Sequence, residues 1–428
     1  MQKENKVKKE VSTLMCWLFV YHHFLHKQLY FDIHFSEVDT MKKRIMKLAL
    51  VVLCLFASLL PITARKEVSD VGLKGDAKSV YLMEYTSGKV IYAEHENKRL
   101  YPASMTKMMG LLLIYEALHD GQLQLDDMVT TSEFAASMGG SQVFLEPQET
   151  LSAEDMIKSI CIASANDAMV AMGEHLAGSH EAFVNKMNRK AKELGMNNTH
   201  FMNATGLHDD KHYTTAKDMA LLGQALLKEG GEELLKITST YDAYIREDSD
   251  KKFWLVNTNK LLKQVEGVDG LKTGFTKEAL SCITVSAKRK ELRLIAVVMG
   301  ASNAKARNAI ASGLLEYGFA QYAQGLLYAK GTRLDTLSFE NGKPKQADIV
   351  ALEDISYVFE KGKEPKEKHK EITITKKKLP YQKNEKIGTV RIEMSDGYYM
   401  EASIGVNRTV LPLDFSDILL KTMRKIIA

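Results

Sequence analysis

The stretch Tyr101-Pro-Ala-Ser-Met-Thr-Lys107, running on into Met-Met-Gly-Leu-Leu-Leu-Ile-Tyr-Glu-Ala-Leu118, is where the chain changes from strand to helix. Pro102 sits just before Ser104, and apolar residues at helical spacing follow from Met108 to Leu118. This predicts that Ser104 opens a helix, with Lys107 one turn later on the same face. Upstream, Val80–Glu84 and Lys89–Ala93 flank Ser87-Gly88 and read as a hairpin. Downstream, the apolar spacing stays helical over Ala153–Leu176 and Met219–Leu227. Strands return at Cys282–Lys288 and Arg293–Gly300, and a helix is expected over Ala304–Gln324. Strands at both ends with helices between them indicate an α+β fold, its one antiparallel sheet assembled from distant parts of the chain.

Past Gly325 the pattern turns to short alternating strands, such as Gly388–Met394 and Tyr398–Gly405 around the turn Ser395-Asp396-Gly397, which predicts a small all-β domain. The Lys- and Glu-rich stretch Glu360–Lys386 reads as a solvated face, since its signs interleave. The tail from Asp414 reads as a helix with Asp414 as N-cap. Phe415, Ile418, Leu419, Met423, Ile426 and Ile427 fall on one side and Lys421, Arg424 and Lys425 on the other, so contact with a membrane surface is expected.

At the N-terminus, the basic run Met41–Lys47, the 13-residue and largely apolar run Leu48–Leu60 and the small-residue end Ile62-Thr63-Ala64 read as a secretory signal peptide. The apolar run is too short for a spanning helix and Pro61 closes it. Residues 1–40 precede that leader, which points to translation starting at Met41 or Met46. The expected organisation is an upstream extension (1–40), a signal peptide (41–64), a catalytic domain (65–325), a β domain (326–411) and a tail helix (412–428). Residues 1–64 hold 9 basic and 5 acidic groups, which leaves 49 against 49 downstream. That balance argues against a nucleic-acid partner. Of four cysteines only Cys161 and Cys282 lie beyond the leader, so no disulfide framework is expected.

Ser-x-x-Lys occurs at Ser104–Lys107, Ser249–Lys252 and Ser302–Lys305, but only the first stands at a helix start. There an amine lies beside a hydroxyl. A serine needs a base to take its proton, and a buried lysine held neutral can serve. Two more motifs follow in order, Ser164-Ala-Asn166 and Lys272-Thr-Gly274. An ordered trio of this kind is the mark of penicillin-binding proteins and class A β-lactamases. His208-Asp-Asp-Lys-His212 reads as a polar loop near the cleft, not as a zinc site, and no cofactor is expected.

Beyond the motifs, the chain from Ser79 onward closely resembles the low-molecular-mass penicillin-binding proteins of the D-alanyl-D-alanine carboxypeptidase type. The stretches that carry the resemblance are Tyr101–Lys107, Ala163–Ala168, Tyr213–Ala220, Val268–Thr276 and Leu294–Gly300. The resemblance implies a β-lactamase/transpeptidase-like catalytic domain and, as partners, peptidoglycan stem peptides and β-lactam inhibitors. It implies Ser104 as nucleophile, Lys107 as acylation base and Ser164 as proton relay. Asn166 would hold the substrate amide, and Lys272 would keep the site cationic. Thr273 and Arg307 would receive the terminal carboxylate. The backbone N–H groups of Ser104 and Phe275, the residue after Gly274, would form the oxyanion hole. Ala165 stands where the family often has Gly, and Phe275 where some members have His. A cross-link endopeptidase and a class A β-lactamase, for which Glu193-Leu-Gly-Met-Asn197 offers a Glu-to-Asn spacing, are the alternatives.

Overall fold

The computed structural model describes residues 72–247, 249–419 and 423. The chain divides into two units, residues 1–69 and 70–428, and the first lies outside the described residues together with the expected leader.

The second unit opens with β1 (Ser79–Glu84) and β2 (Val90–Glu94), paired as the predicted hairpin. After the 3-10 turn Ala103–Thr106 comes α1 (Lys107–His119), then the short pair β3 (Met128–Thr130) and β4 (Thr150–Ser152). Next are α2 (Ala153–Lys158), α3 (Asn166–Ala177), α4 (His180–Glu193) and α5 (Ala216–Thr238). Hydroxyls start α2, α4 and α5: Ser152 Oγ accepts from Asp155 N, Ser179 Oγ from Ala182 N, and Thr215 Oγ1 from Asp218 N. A small hairpin, β5 (Asp242–Ile245) and β6 (Phe253–Val256), precedes the long strands β7 (Val268–Thr276), β8 (Leu280–Arg289) and β9 (Leu292–Ala301). Helix α6 (Ala304–Gln321), capped by Asn303, closes the domain.

The main sheet has the antiparallel order β2-β1-β9-β8-β7, so the first hairpin joins strands made last in the domain. Strand alternation splits its side chains. Tyr81, Met83, Ile295 and Val297 face the core shared with α1 to α5, while Val80, Leu82, Leu294 and Ala296 pack against Ile310 and Leu314 of α6. The sheet is therefore buried on both faces, and β7 is the edge strand that meets the Ser104 turn.

Two expected helices differ from the prediction. The run Ala153–Leu176 is not continuous: a π-turn at Ser159–Ala163 and a left-handed Ser164 (φ 65°) separate α2 from α3. Backbone groups that a continuous helix would use internally go elsewhere, with Asn166 N donating to Ser141 O and Ile162 O accepting from Thr258 N. The apolar spacing carries across because both segments bury the same core. The helix expected to reach Gln324 ends at Gln321, because Tyr322 is extended and β10 (Tyr322–Tyr328) is paired to β14 (Ile355–Glu360). The expected domain boundary between residues 325 and 326 lies inside β10.

The remaining strands are β11 (Arg333–Ser338), β12 (Gly342–Lys343), β13 (Gln346–Ala351), β15 (Glu367–Ile374), β16 (Gly388–Met394), β17 (Tyr399–Val406) and β18 (Leu411–Pro412). Five of them form a sheet of order β11-β13-β17-β16-β15 around a separate core that includes Ile349, Val390, Ile392 and Ile404. The predicted hairpin around Ser395–Gly397 is β16–β17. Lys363, Lys368 and Lys376 of the Lys-rich stretch pair with Glu360, Glu393 and Glu385. Two bonds clasp this domain to the first hairpin: Lys89 Nζ donates to Val358 O (2.8 Å) and Tyr398 Oη to Ser87 O (3.1 Å). In the tail, residues 415–419 are helical and Asp414 Oδ1 accepts from Asp417 N (2.8 Å); residues 420–422 and 424–428 lie outside the described residues. No helix among the described residues is long and apolar enough to cross a membrane.

Candidate active site

Ser104 lies in the 3-10 turn Ala103–Thr106, and Lys107 is the first residue of α1. Two glycines let this turn sit where it does. A Cβ on Gly274 would lie 2.7 Å from Pro102 O and 3.1 Å from Ala103 Cβ, so only a glycine allows β7 to close on the turn. On the other side Gly206, at φ +84°, packs so tightly that a Cβ would stand 1.9 Å from Ala103 O. The turn is gripped between strand and loop.

Lys107 is fully buried, its Nζ 3.1 Å from Ser104 Oγ and donating to Thr205 O at 2.8 Å. Burial, reinforced by the charge of Lys272, drives its pKa well below the ordinary value; the Asp167 carboxylate pulls weakly the other way. Thr205 O is presented by a turn built on Asn203 Oδ1, which accepts from Thr205 N, Thr205 Oγ1 and Gly206 N.

Lys272 is also buried, and Nζ donates to Thr273 O at 3.3 Å. Burial lowers its pKa to about 8, with Arg307 adding to the fall, so it is mostly protonated at neutral pH. Arg307 is buried in the first turn of α6, where Nε and Nη2 both donate to Asn308 Oδ1. Thr273 is buried with its hydroxyl donating to Thr258 Oγ1 at 2.7 Å. Phe275 is the exposed exception. The structure thus sets the buried amine of Lys107 beside Ser104, with the Lys272 charge near enough to lower its pKa and Arg307 near enough to lower that of Lys272.

The second motif flanks the break between α2 and α3. Ser164 is buried at its left-handed corner, and Asn166 opens α3 with Nδ2 donating to Gly139 O (2.6 Å). Asn166 Oδ1 is buried and has no hydrogen-bond partner. The neighbouring Asp167 carboxylate, fully buried, accepts from Val143 N and Leu145 N at 3.1 Å each. That pins the segment 139–145 as a strap over the motif. Arg246 holds the same strap from outside, donating to Glu149 (2.6 Å) and Val143 O (3.0 Å).

Sequence reasoning missed Thr205, Asp167, Thr258 and the strap. The only signals were the Gly139-Gly140 pair and the Asn-x-x-Gly of Asn203–Gly206. The other two Ser-x-x-Lys matches lie apart from the site, Ser249 in the β5–β6 connection and Ser302 between β9 and α6. His212 is buried, with Nδ1 accepting from Met202 N and Nε2 2.8 Å from Thr106 Oγ1; burial brings its pKa to about 4, so the ring is neutral. His208 stands edge-on to Tyr101. Cys161 and Cys282 are free and buried, their thiols pushed up to about 12 and about 11. Glu193, the residue that suggested a deacylating carboxylate, ends α4 at the surface in an ion pair with Lys190.

The D-alanyl-D-alanine carboxypeptidase family profile matches residues 65–303, and the profile of the C-terminal domain of penicillin-binding protein 5 matches residues 322–411. The D-alanyl-D-alanine carboxypeptidase DacF of Bacillus subtilis is 46% identical over 352 residues, 82% of this chain and 90% of its own length. The crystal structure of penicillin-binding protein 5 from Haemophilus influenzae superimposes with a TM-score of 0.64 at 32% identity, covering 78% of this chain and 97% of that one. Penicillin-binding protein D2 from Listeria monocytogenes, in its ampicillin-bound form, matches with a TM-score of 0.52 at 32% identity, covering 57% of this chain and 98% of its own. Neither an endopeptidase nor a β-lactamase reading is favoured by these relatives.

Proposed function

The chain belongs to the D-alanyl-D-alanine carboxypeptidase family, and from that membership we propose that it removes the terminal D-Ala of peptidoglycan stem pentapeptides through an acyl-enzyme on Ser104. One observation carries this reading: a fully buried lysine amine 3.1 Å from the Ser104 hydroxyl. Kept neutral, Lys107 accepts the proton of Ser104 as Oγ bonds to the penultimate D-Ala carbonyl carbon. The N–H groups of Ser104 and Phe275 take the developing oxyanion. The carbon–nitrogen bond then breaks, and Ser164 relays the proton to the departing amine. Water hydrolyses the ester, which releases the tetrapeptide and restores the serine.

The remaining residues select the substrate. Asn166 Oδ1, buried without a partner, is suited to accept a substrate amide N–H. Lys272, Thr273 and Arg307 receive the terminal carboxylate, and the excess of buried positive charge favours an anionic chain end. A β-lactam acylates the same serine, as the ampicillin-bound Listeria relative suggests. The leader at 41–64 exports the chain to the periplasm or the outer face of the cytoplasmic membrane, and the tail lies peripherally on that membrane's surface. Support for the tail comes from the exposed apolar side chains of Phe415, Leu419 and Met423.

The test incubates the full-length chain, alone and as Ser104→Ala, with pentapeptide muropeptides and reads the products by mass spectrometry. Loss of one D-Ala only with intact Ser104 supports the reading. Absence of both product and a penicillin adduct on Ser104 removes it.

A further inference from the structure

The β5–β6 hairpin is amphipathic. Ala243, Ile245, Phe253 and Leu255 face the main core, while the opposite side presents Tyr244 and Trp254, directly paired across the strands and 44% and 54% exposed. Two large rings held in solvent side by side are costly unless they meet something. Their surroundings hold them in place: Trp254 Nε1 donates to Asp242 Oδ2 at 3.1 Å, and Lys252 Nζ stands 4.2 Å over the Tyr244 ring.

This face is built onto the candidate active site. Thr258, just after β6, accepts from Thr273 of the third motif and donates its N–H to Ile162 O beside the second. Arg246 ties the hairpin to Val143 O of the strap, and Phe253 packs edge-on against Phe144, 6.0 Å between centroids. Phe144 is itself 68% exposed and follows Val143, whose N–H is held by Asp167 next to Asn166.

We propose that the Tyr244–Trp254 face binds the glycan strand of peptidoglycan, a conclusion that rests on the carboxypeptidase reading of Ser104. A stem peptide in the cleft is covalently joined at its other end to an amino sugar, so sugar lies within the reach of about four extended residues, roughly 14 Å, on the acyl side of the site. A pyranose offers an apolar C–H face to an aromatic ring and hydroxyls at its edge; here two rings are flanked by one carboxylate, Asp242, and one ammonium, Lys252. That balance does not suit an anionic bilayer, which selects an excess of cations.

The test measures binding of peptide-free glycan strands to the full-length chain by titration calorimetry, with fluorescent penicillin labelling of Ser104 reporting an intact fold. Trp254→Leu and Tyr244→Ala each weaken glycan binding about fivefold, whereas Trp254→Phe, which keeps a ring, restores it. Ser104→Ala binds the strands as the unaltered chain does. No binding by the unaltered chain, equal binding by Trp254→Leu and Trp254→Phe, or Trp254-dependent capture by phosphatidylglycerol vesicles in place of glycan overturns the proposal. Glycan binding with no penicillin adduct removes the reading of Ser104 and leaves the sugar site standing; an adduct without glycan binding does the reverse.

Discussion

Replacing Lys272 with methionine abolishes acylation yet makes the protein more stable. The buried ammonium of Lys272 titrates at about 8 instead of 10.5, chiefly because burial strips its water and secondarily because Arg307 is near. At 1.36 kcal/mol per pKa unit, holding that charge at pH 7 costs about 3 kcal/mol. Methionine has nearly the same shape and no charge; it forfeits the 3.3 Å bond to Thr273 O, worth about 1 kcal/mol. The net gain is about 2 kcal/mol, or roughly 4 °C in Tm for a domain of this size. The pH dependence tests the cause. The folded pKa lies below the unfolded one, so the cost is fully present below about pH 8 and fades as the pH rises through 8 toward 10.5, because the folded lysine is by then neutral and the unfolded one is losing its own proton. Urea unfolding followed by circular dichroism at pH 7 and at pH 10 measures both. A variant less stable than the parent at pH 7, or a gain that does not shrink at pH 10, refutes the reasoning.

The rate of Ser104 acylation by a fluorescent penicillin rises as Lys107 loses its proton and falls about tenfold between pH 7 and pH 9 as Lys272 loses its own; a rate that climbs steadily to pH 10 contradicts this. Gly206→Ala drives a Cβ into Ala103 O and displaces the neighbouring Ser104, which slows acylation about 100-fold while the circular dichroism spectrum stays native. Asp167→Ala leaves two buried amides without an acceptor, so stability drops by about 3 kcal/mol in urea and acylation slows as the strap loosens. Truncation before Asp414 leaves turnover of soluble pentapeptide unchanged but ends co-sedimentation with anionic vesicles.

The main strands and the long helices were legible because each carries one period over enough residues. Val80–Glu84 and Arg293–Gly300 stand out even though both sheet faces are buried. The three motifs were legible as text, and the structure places Ser104, Lys107 and the buried Lys272 in one charged cluster. What the sequence hid depends on neighbours far along the chain. The corner at Ser164 is invisible to periodicity, since Ile160 and Ala168 belong to the same apolar stripe and the break arises from Ser141 and Thr258 capturing backbone groups. Arg307 could be read as a surface helix residue; only the packing of α6 on the sheet buries it. Asp167 stands in the first turn of α3, and the two strap amides it holds lie more than twenty residues upstream, beyond any local pattern.

The position of β1 has a consequence in time. Val80 pairs with Val298, so the strand made first waits for one made roughly two hundred residues later, and until then one of its edges is open. The Ser87 turn waits longer still, for Tyr398. A sheet completed this late keeps the growing chain from locking early, so the first hairpin stays half-paired until nearly the whole of its domain has been made.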